Sequence, residues 1–166
     1  MALKDFLNRL SKDKKHTIAI MFIELALPIW DHHADKSELS YRDTVVGLTH
    51  VIDRKLLANC LGAAKDYLNS NLAENFLKKK KEKLLFLYDE LREPVVALQD
   101  GDWDLPYEVE ITFYSVYNLI RSLKGEENTV FDEPTIYVSI NQAVDALTTS
   151  RVLTFDEINE MLANTL

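Results

Sequence analysis

The hydrophobic and polar positions of this chain divide it into helices separated by short polar breaks, and the clearest stretch runs from Asp104 to Lys124. Val109, Phe113, Val116, Ile120 and Leu123 fall at i, i+4, i+7, i+11 and i+14, one apolar stripe of an α-helix. Tyr107, Ile111 and Tyr114 lie on roughly the opposite side at about 100° per residue, which predicts a helix covered on two faces. Asp104 as N-cap, Pro106 in the first turn and Glu108 against the helix dipole mark its start, and Gly125 marks its end. A helix of that kind belongs in the middle of a bundle.

The same reading extends along the chain. Leu3, Phe6, Leu7 and Leu10 predict a short amphipathic helix, and Ser11 caps the next, from Asp13 to about Trp30. Pro28 falls inside that pattern, so a kink or an early end is expected there. Glu24 is the one acid in the apolar run, either a buried carboxylate held by hydrogen bonds or a residue on the open side, and a structural role is favoured. Ser40 and Asp43 resemble a capping-box start, and Val45, Leu48, Val51 or Ile52, Leu56, Cys60 or Leu61, and Ala64 recur at helical spacing. Tyr41 to Leu68 is therefore expected as a long helix with one break near Gly47 to Asp53, stopped by Asn69-Ser70-Asn71. Leu72 to Arg92 reads as another, with Glu93-Pro94 breaking it before a short turn at Val95 to Leu98. Asp132 is expected to cap, and Pro134 to open, a helix carrying Ile136, Ile140, Ala143, Val144 and Leu147. Thr154 and Glu157 form a capping box for a last helix burying Phe155, Ile158, Met161 and Leu162. The prediction is all-α: a single domain over residues 1–166, a bundle of seven or eight mostly antiparallel helices with no convincing strand.

Composition narrows the class. Four Gly and four Pro in 166 residues favour long helices over many short strands, and a single cysteine, Cys60, excludes a disulfide framework and metal-ligand spacing. Cys60 reads as a buried structural thiol. The apolar run from Ile18 to Trp30 is shorter than the roughly 20 residues a bilayer requires, and it lacks the context of a secretory signal. A cytoplasmic protein without membrane attachment is expected.

Charge changes the picture more. Residues 1–99 hold 16 basic and 14 acidic side chains, net +2, whereas residues 100–166 hold 3 and 13, net −10. An acidic half repels nucleic acid and anionic membrane and steers a cationic partner inward, although acids also serve solubility alone. Lys78 to Lys81 spread over about 300° of a helix and lack interleaved aromatics, so they predict a solvated turn.

Catalytic chemistry is weakly represented. The glycines are isolated, no Ser or Cys sits in a nucleophile elbow, and paired carboxylates arise by chance in an acidic chain. No catalytic residue, metal ligand or cofactor is assigned, and an enzyme is not expected. Asp31-His32-His33-Ala34-Asp35 is the strongest exception, since an Asp-His-His string occurs in a phosphoesterase class. There it follows a strand and is joined by further acidic motifs, neither of which is visible here. Adjacent histidines on a helix point about 100° apart, and His50 with Asp53 supplies only two ligands at i, i+3. A polar helix end is the preferred reading, with a metal-dependent helical enzyme as the alternative.

Glu24-Leu25-Ala26-Leu27-Pro28-Ile29-Trp30-Asp31 closes the first long apolar helix. This Glu-x-x-Leu-Pro-aliphatic-aromatic-acid string resembles the immunity proteins of bacterial polymorphic-toxin and contact-dependent growth-inhibition systems, and Tyr41 to Leu68 resembles them in layout. The likeness covers about the first 70 residues. It implies a small cytoplasmic protein that binds and neutralises a cognate toxin C-terminal domain, often a nuclease. Nuclease clefts are basic because they hold phosphate backbone, and an acidic surface can occupy such a cleft as a substrate mimic. The family's recognition surfaces vary, so the interface is taken from this chain alone. Asp100, Asp102 and Asp104 surround Trp103, an aromatic of the kind enriched in hot spots, and Glu126, Glu127, Asp132 and Glu133 follow the far end of the same helix. Trp103 as an inward loop anchor weighs equally. A helical adaptor without a toxin partner is a further alternative.

Overall fold

The computed structural model describes residues 2–69 and 74–165, which form seven helices and one small hairpin. The helices are α1 (Leu3–Leu7), α2 (Lys12–Lys36), α3 (Leu56–Leu68), α4 (Glu74–Asp100), α5 (Tyr107–Lys124), α6 (Thr135–Thr149) and α7 (Phe155–Ala163). Strands β1 (Ser40–Arg42) and β2 (Thr49–Val51) pair antiparallel, with Tyr41 opposite His50. The all-α prediction holds. No helix of the described residues is long and apolar enough to cross a membrane.

The two-faced helix is α5, and it sits in the middle. It packs against α2, α3, α4 and α6, with Phe113, Val116, Leu119 and Ile120 fully enclosed. Each such side chain contributes about 1.5–3 kcal/mol relative to exposure. Tyr107 is the exception on its second face, exposed and donating to Asp145 Oδ2 at 2.6 Å. The seam between α5 and α6 is partly polar. Ser115 Oγ donates to the Ser139 carbonyl and Ser139 Oγ to the Ser115 carbonyl, both at 2.7 Å. One turn on, Asn118 Nδ2 donates to Gln142 Oε1 at 2.8 Å. These two serine side chains let the backbones approach while each hydroxyl finds an acceptor.

Several helix ends follow from local chemistry. Ser11 Oγ accepts from Lys14 N, Thr154 and Glu157 form the full capping box, and Gly125 ends α5 at φ +118°. Two predicted caps do not form. α5 starts at Tyr107 with Pro106 as its N-cap residue, so Asp104 lies outside the helix. α6 starts at Thr135 behind Pro134, and Asp132 is instead a left-handed turn residue at φ +59°.

Neither proline ends its helix, although an early end is one of two expectations at Pro28 and a break is expected at Pro94. α2 continues through Pro28 to Lys36, and α4 continues through Pro94 to Asp100. A proline inside a helix costs about 3 kcal/mol. Burial on both flanks offsets that cost, through Ala26 and Trp30 around Pro28 and through Leu91, Val95 and Leu98 around Pro94. Glu24 faces the open side of α2, where it forms an ion pair with Lys65 of α3. The predicted beginning of the third long helix at Leu72, and Ser70-Asn71 of its preceding stop, lie outside the described residues.

The largest departure is Tyr41 to Asp53, predicted as the start of a long helix with one break near Gly47 to Asp53 and found as a hairpin. Ser40 lies in β1 and makes no helix start. Asp43 organises the turn: its Oδ1 accepts from Val45 N at 2.8 Å and Val46 N at 3.2 Å, its N–H donates to the Leu48 carbonyl, and its carbonyl accepts from Gly47 N. Gly47 takes φ +76°, a conformation that side chains disfavour. Val45, Leu48 and Val51, read as a core stripe, are therefore exposed. At the other end of the chain, Phe155 is also exposed, while Ile158 and Leu162 are buried and Met161 is half-buried.

Candidate partner-binding surface

The acidic stretch before α5 is built as a turn around one inward ring. α4 ends at Asp100, Gly101 turns the chain at φ +81°, and Trp103 N–H donates back to the Ala97 carbonyl at 3.1 Å. Trp103 is 5% exposed. Its ring stacks on Tyr41 at 5.6 Å between centroids and stands edge-on to Phe113 at 5.7 Å. Of the two readings weighed equally for Trp103, the inward loop anchor is the one found and the partner-facing ring is not: the segment points acids outward and the indole inward. Asp100 and Asp104 are exposed, and half-buried Asp102 accepts from Thr44 Oγ1 at 3.0 Å. That bond joins the acidic turn to the hairpin.

The second acidic loop is partly neutralised from within. Glu126 accepts from Arg121 Nε at 2.8 Å and pairs with Lys124 Nζ at 2.7 Å. Burial pushes its carboxyl up, but the Lys124 and Arg121 hydrogen bonds and their charges outweigh this, and it titrates below the ordinary value. Glu127 pairs with Lys12 at 2.6 Å, and that bond and charge lower its carboxyl as well. Asp132 and Glu133 are exposed and carry no ion pair among the described residues. Beside them the tip residues Val130 and Phe131 project into solvent, Phe131 at 85% exposure. Thr129 Oγ1 accepts from the N–H groups of Phe131 and Glu133, both at 3.3 Å. This tip borders a groove of about 480 Å³ walled by Val95, Tyr114, Tyr117 and Val138, with Arg92 and Arg121 at its side.

The two acidic regions stand at opposite ends of α5, which at 18 residues is about 27 Å long. They are two patches. The hairpin adds apolar surface to the first: Val45 is 92% exposed and Val46 65%, with Leu48 and Val51 also in solvent. Sequence reasoning missed this element. Its signal lay in the β-branched density of Thr44-Val45-Val46 and Thr49-His50-Val51-Ile52 on either side of Gly47.

The histidines scatter. Asp31 and His32 are exposed on the last turns of α2, Asp35 pairs with Arg54 at 2.7 Å, and the His33 carbonyl accepts the Ser37 N–H. His50 lies in β2, stacked on Tyr41 at 5.0 Å, with Nδ1 3.5 Å from Glu93. Asp53 lies in the following turn and accepts from Lys55 N, so the i, i+3 spacing of His50 and Asp53 is not helical. Among the described residues, no three His, Cys, Asp or Glu side chains converge as a donor set for a cation.

One histidine is fully enclosed. His16 Nδ1 lies 2.9 Å from the Lys12 carbonyl and must donate to it, which leaves Nε2 to accept the Ser122 hydroxyl at 2.9 Å in the neutral ring. Burial lowers the His16 pKa most, with the Lys12 charge acting in the same direction against the Lys12 carbonyl bond, Asp13 and Glu127. The pair ties α2 to the end of α5. Comparison with known proteins yields no matching family model, no matching curated protein and no matching solved structure.

Proposed function

We propose that this chain is an immunity protein that binds and neutralises a cognate bacterial toxin domain, a cationic nuclease, by one-to-one association. The observation that carries the reading is the net charge of −10 over residues 100–166 together with the outward placement of Asp100, Asp104, Asp132 and Glu133 at the two ends of one buried helix. Their field draws in a positively charged partner and repels nucleic acid. The resemblance of Glu24 to Asp31 to toxin-immunity proteins supports the same class, and that string lies in α2 as part of the scaffold. Asp102 contributes charge at the first patch. Glu126 and Glu127 contribute less, because each already faces an internal cation.

The test is co-expression with the polypeptide domain encoded immediately upstream of the gene. Growth arrest by that domain alone, rescue by this chain and one-to-one co-purification are expected. A harmless neighbour that does not co-purify would end the proposal.

A further inference from the structure

We infer that the hairpin tip, Val45, Val46 and Leu48, is the apolar anchor of the interface, and that it enters an apolar pocket bordered by Lys and Arg side chains on a cationic protein partner. The inference rests on the toxin-inhibitor reading and specifies where and how that contact is made.

Three features meet at this place. The first is exposure: these three side chains stand out from the turn of a two-stranded hairpin whose other face is closed by Tyr41 packing on Trp103, and Val51 is also exposed at the hairpin's base. Isolated exposed apolar residues are ordinary, but a contiguous set on a projecting turn marks an interaction site. The second is its fixed shape. Asp43 holds the turn through two side-chain bonds, and Thr44 is tied to Asp102, so little ordering remains to be lost on binding.

The third is the charge of the rim. Asp102 touches the hairpin directly, and Asp100 and Asp104 flank it in sequence and are exposed. Glu93 approaches from α4 through His50. Burial first, then the charges of Glu93, Asp43 and Asp102, push the Tyr41 hydroxyl up, to about 12, so all three carboxylates lie near that hydroxyl. Arg42 is the one lysine or arginine of the hairpin, and its guanidinium lies at the turn beside Gly47, so the net charge around the hairpin is set by the more numerous carboxylates. An apolar knob inside an acidic rim is complementary to a cationic surface with an apolar recess. Two copies paired symmetrically through this face would bring acid against acid, and an anionic bilayer would be repelled.

The experiment measures association with the upstream-encoded domain for the full-length wild type, a Val45→Ser/Val46→Ser/Leu48→Ser triple variant, and a Val130→Ser/Phe131→Ser variant at the other acidic end. The triple is expected to raise Kd roughly 100-fold, mostly through faster dissociation, with its melting temperature within about 2 °C of wild type because the side chains are exposed. The distal pair is expected to leave Kd within about threefold. If the wild type binds and the triple binds equally well, the anchor assignment falls while the inhibitor reading stands. The assignment also falls if the distal pair weakens binding and the triple does not, or if the triple removes a self-association of the wild type and leaves the partner affinity unchanged. If the wild type itself fails to bind that domain, both fall.

Discussion

The indole of Trp103 stands edge-on to that of Trp30, with ring centroids 6.3 Å apart and planes at 87°. Phe113 completes the cluster at 5.6 Å from Trp30, and Trp30 Nε1 donates to the Arg54 carbonyl at 2.8 Å. One contact thus joins the turn before α5, the end of α2 and the chain entering α3. Trp103→Ala should destabilise the protein by about 3–5 kcal/mol, the range for deleting a large buried aromatic. Urea denaturation followed by circular dichroism measures this. A loss below about 1 kcal/mol would contradict the burial argument.

Cys60 is fully enclosed in α3, and burial, with Glu90 adding, pushes its thiol up to about 12. A thiolate is the reactive form, so native protein at pH 8 should react with a disulfide reagent only through opening of the fold, orders of magnitude more slowly than urea-unfolded chain. Equal rates in the two states would refute this.

His16 sets an acid dependence with a definite sign. Its folded pKa lies below the ordinary 6.5, so the unfolded chain binds the proton first. Stability from the neutral ring is complete above about pH 6.5 and falls as the pH drops from there toward the folded value. Melting temperatures between pH 7.5 and 5 should decline in wild type, and a His16→Gln variant should decline less over that window. Parallel curves would show that His16 contributes nothing to it.

The acidic turn before α5 should act mainly on association rate. Asp100→Lys with Asp104→Lys is expected to slow binding of the upstream-encoded domain about tenfold or more at low salt, with the difference shrinking as salt screens the field. Both residues are exposed, so the melting temperature should move little. Stopped-flow rates across a salt series check the point; a salt-independent rate equal to wild type would remove the steering argument.

Much of the bundle was legible because helical spacing reports burial directly. The α5 stripe, the α6 stripe, Ser11, Gly125 and the Thr154–Glu157 box all follow from local chemistry. The early end at Pro28 and the break at Pro94 do not occur because a local penalty of a few kcal/mol is outweighed by tertiary burial that spacing alone does not report. Val45, Leu48 and Val51 were misread because spacings of three among apolar residues fit a helix as well as a loop, while Gly47 and the β-branched flanks carried the decisive signal. At the candidate surface, the outward placement of Asp100, Asp104, Asp132 and Glu133 was readable. The inward ring of Trp103 was not, since a tryptophan between two aspartates gives no local sign of which way it turns. His16 and Ser122, 106 positions apart, could be joined only by the fold.

The serines that exchange hydroxyl and carbonyl across α5 and α6 have a consequence for how this protein could be re-engineered. A slide of either helix by one turn would break both bonds at once and leave the hydroxyls facing apolar neighbours, so the seam admits one alignment. The exposed side chains of Asp100, Asp104, Asp132 and Glu133 take no part in those two bonds. A designer could therefore exchange those carboxylates at both ends of α5 for a different target and retain the same strut between them, much as the jaws of a wrench are exchanged on a fixed handle.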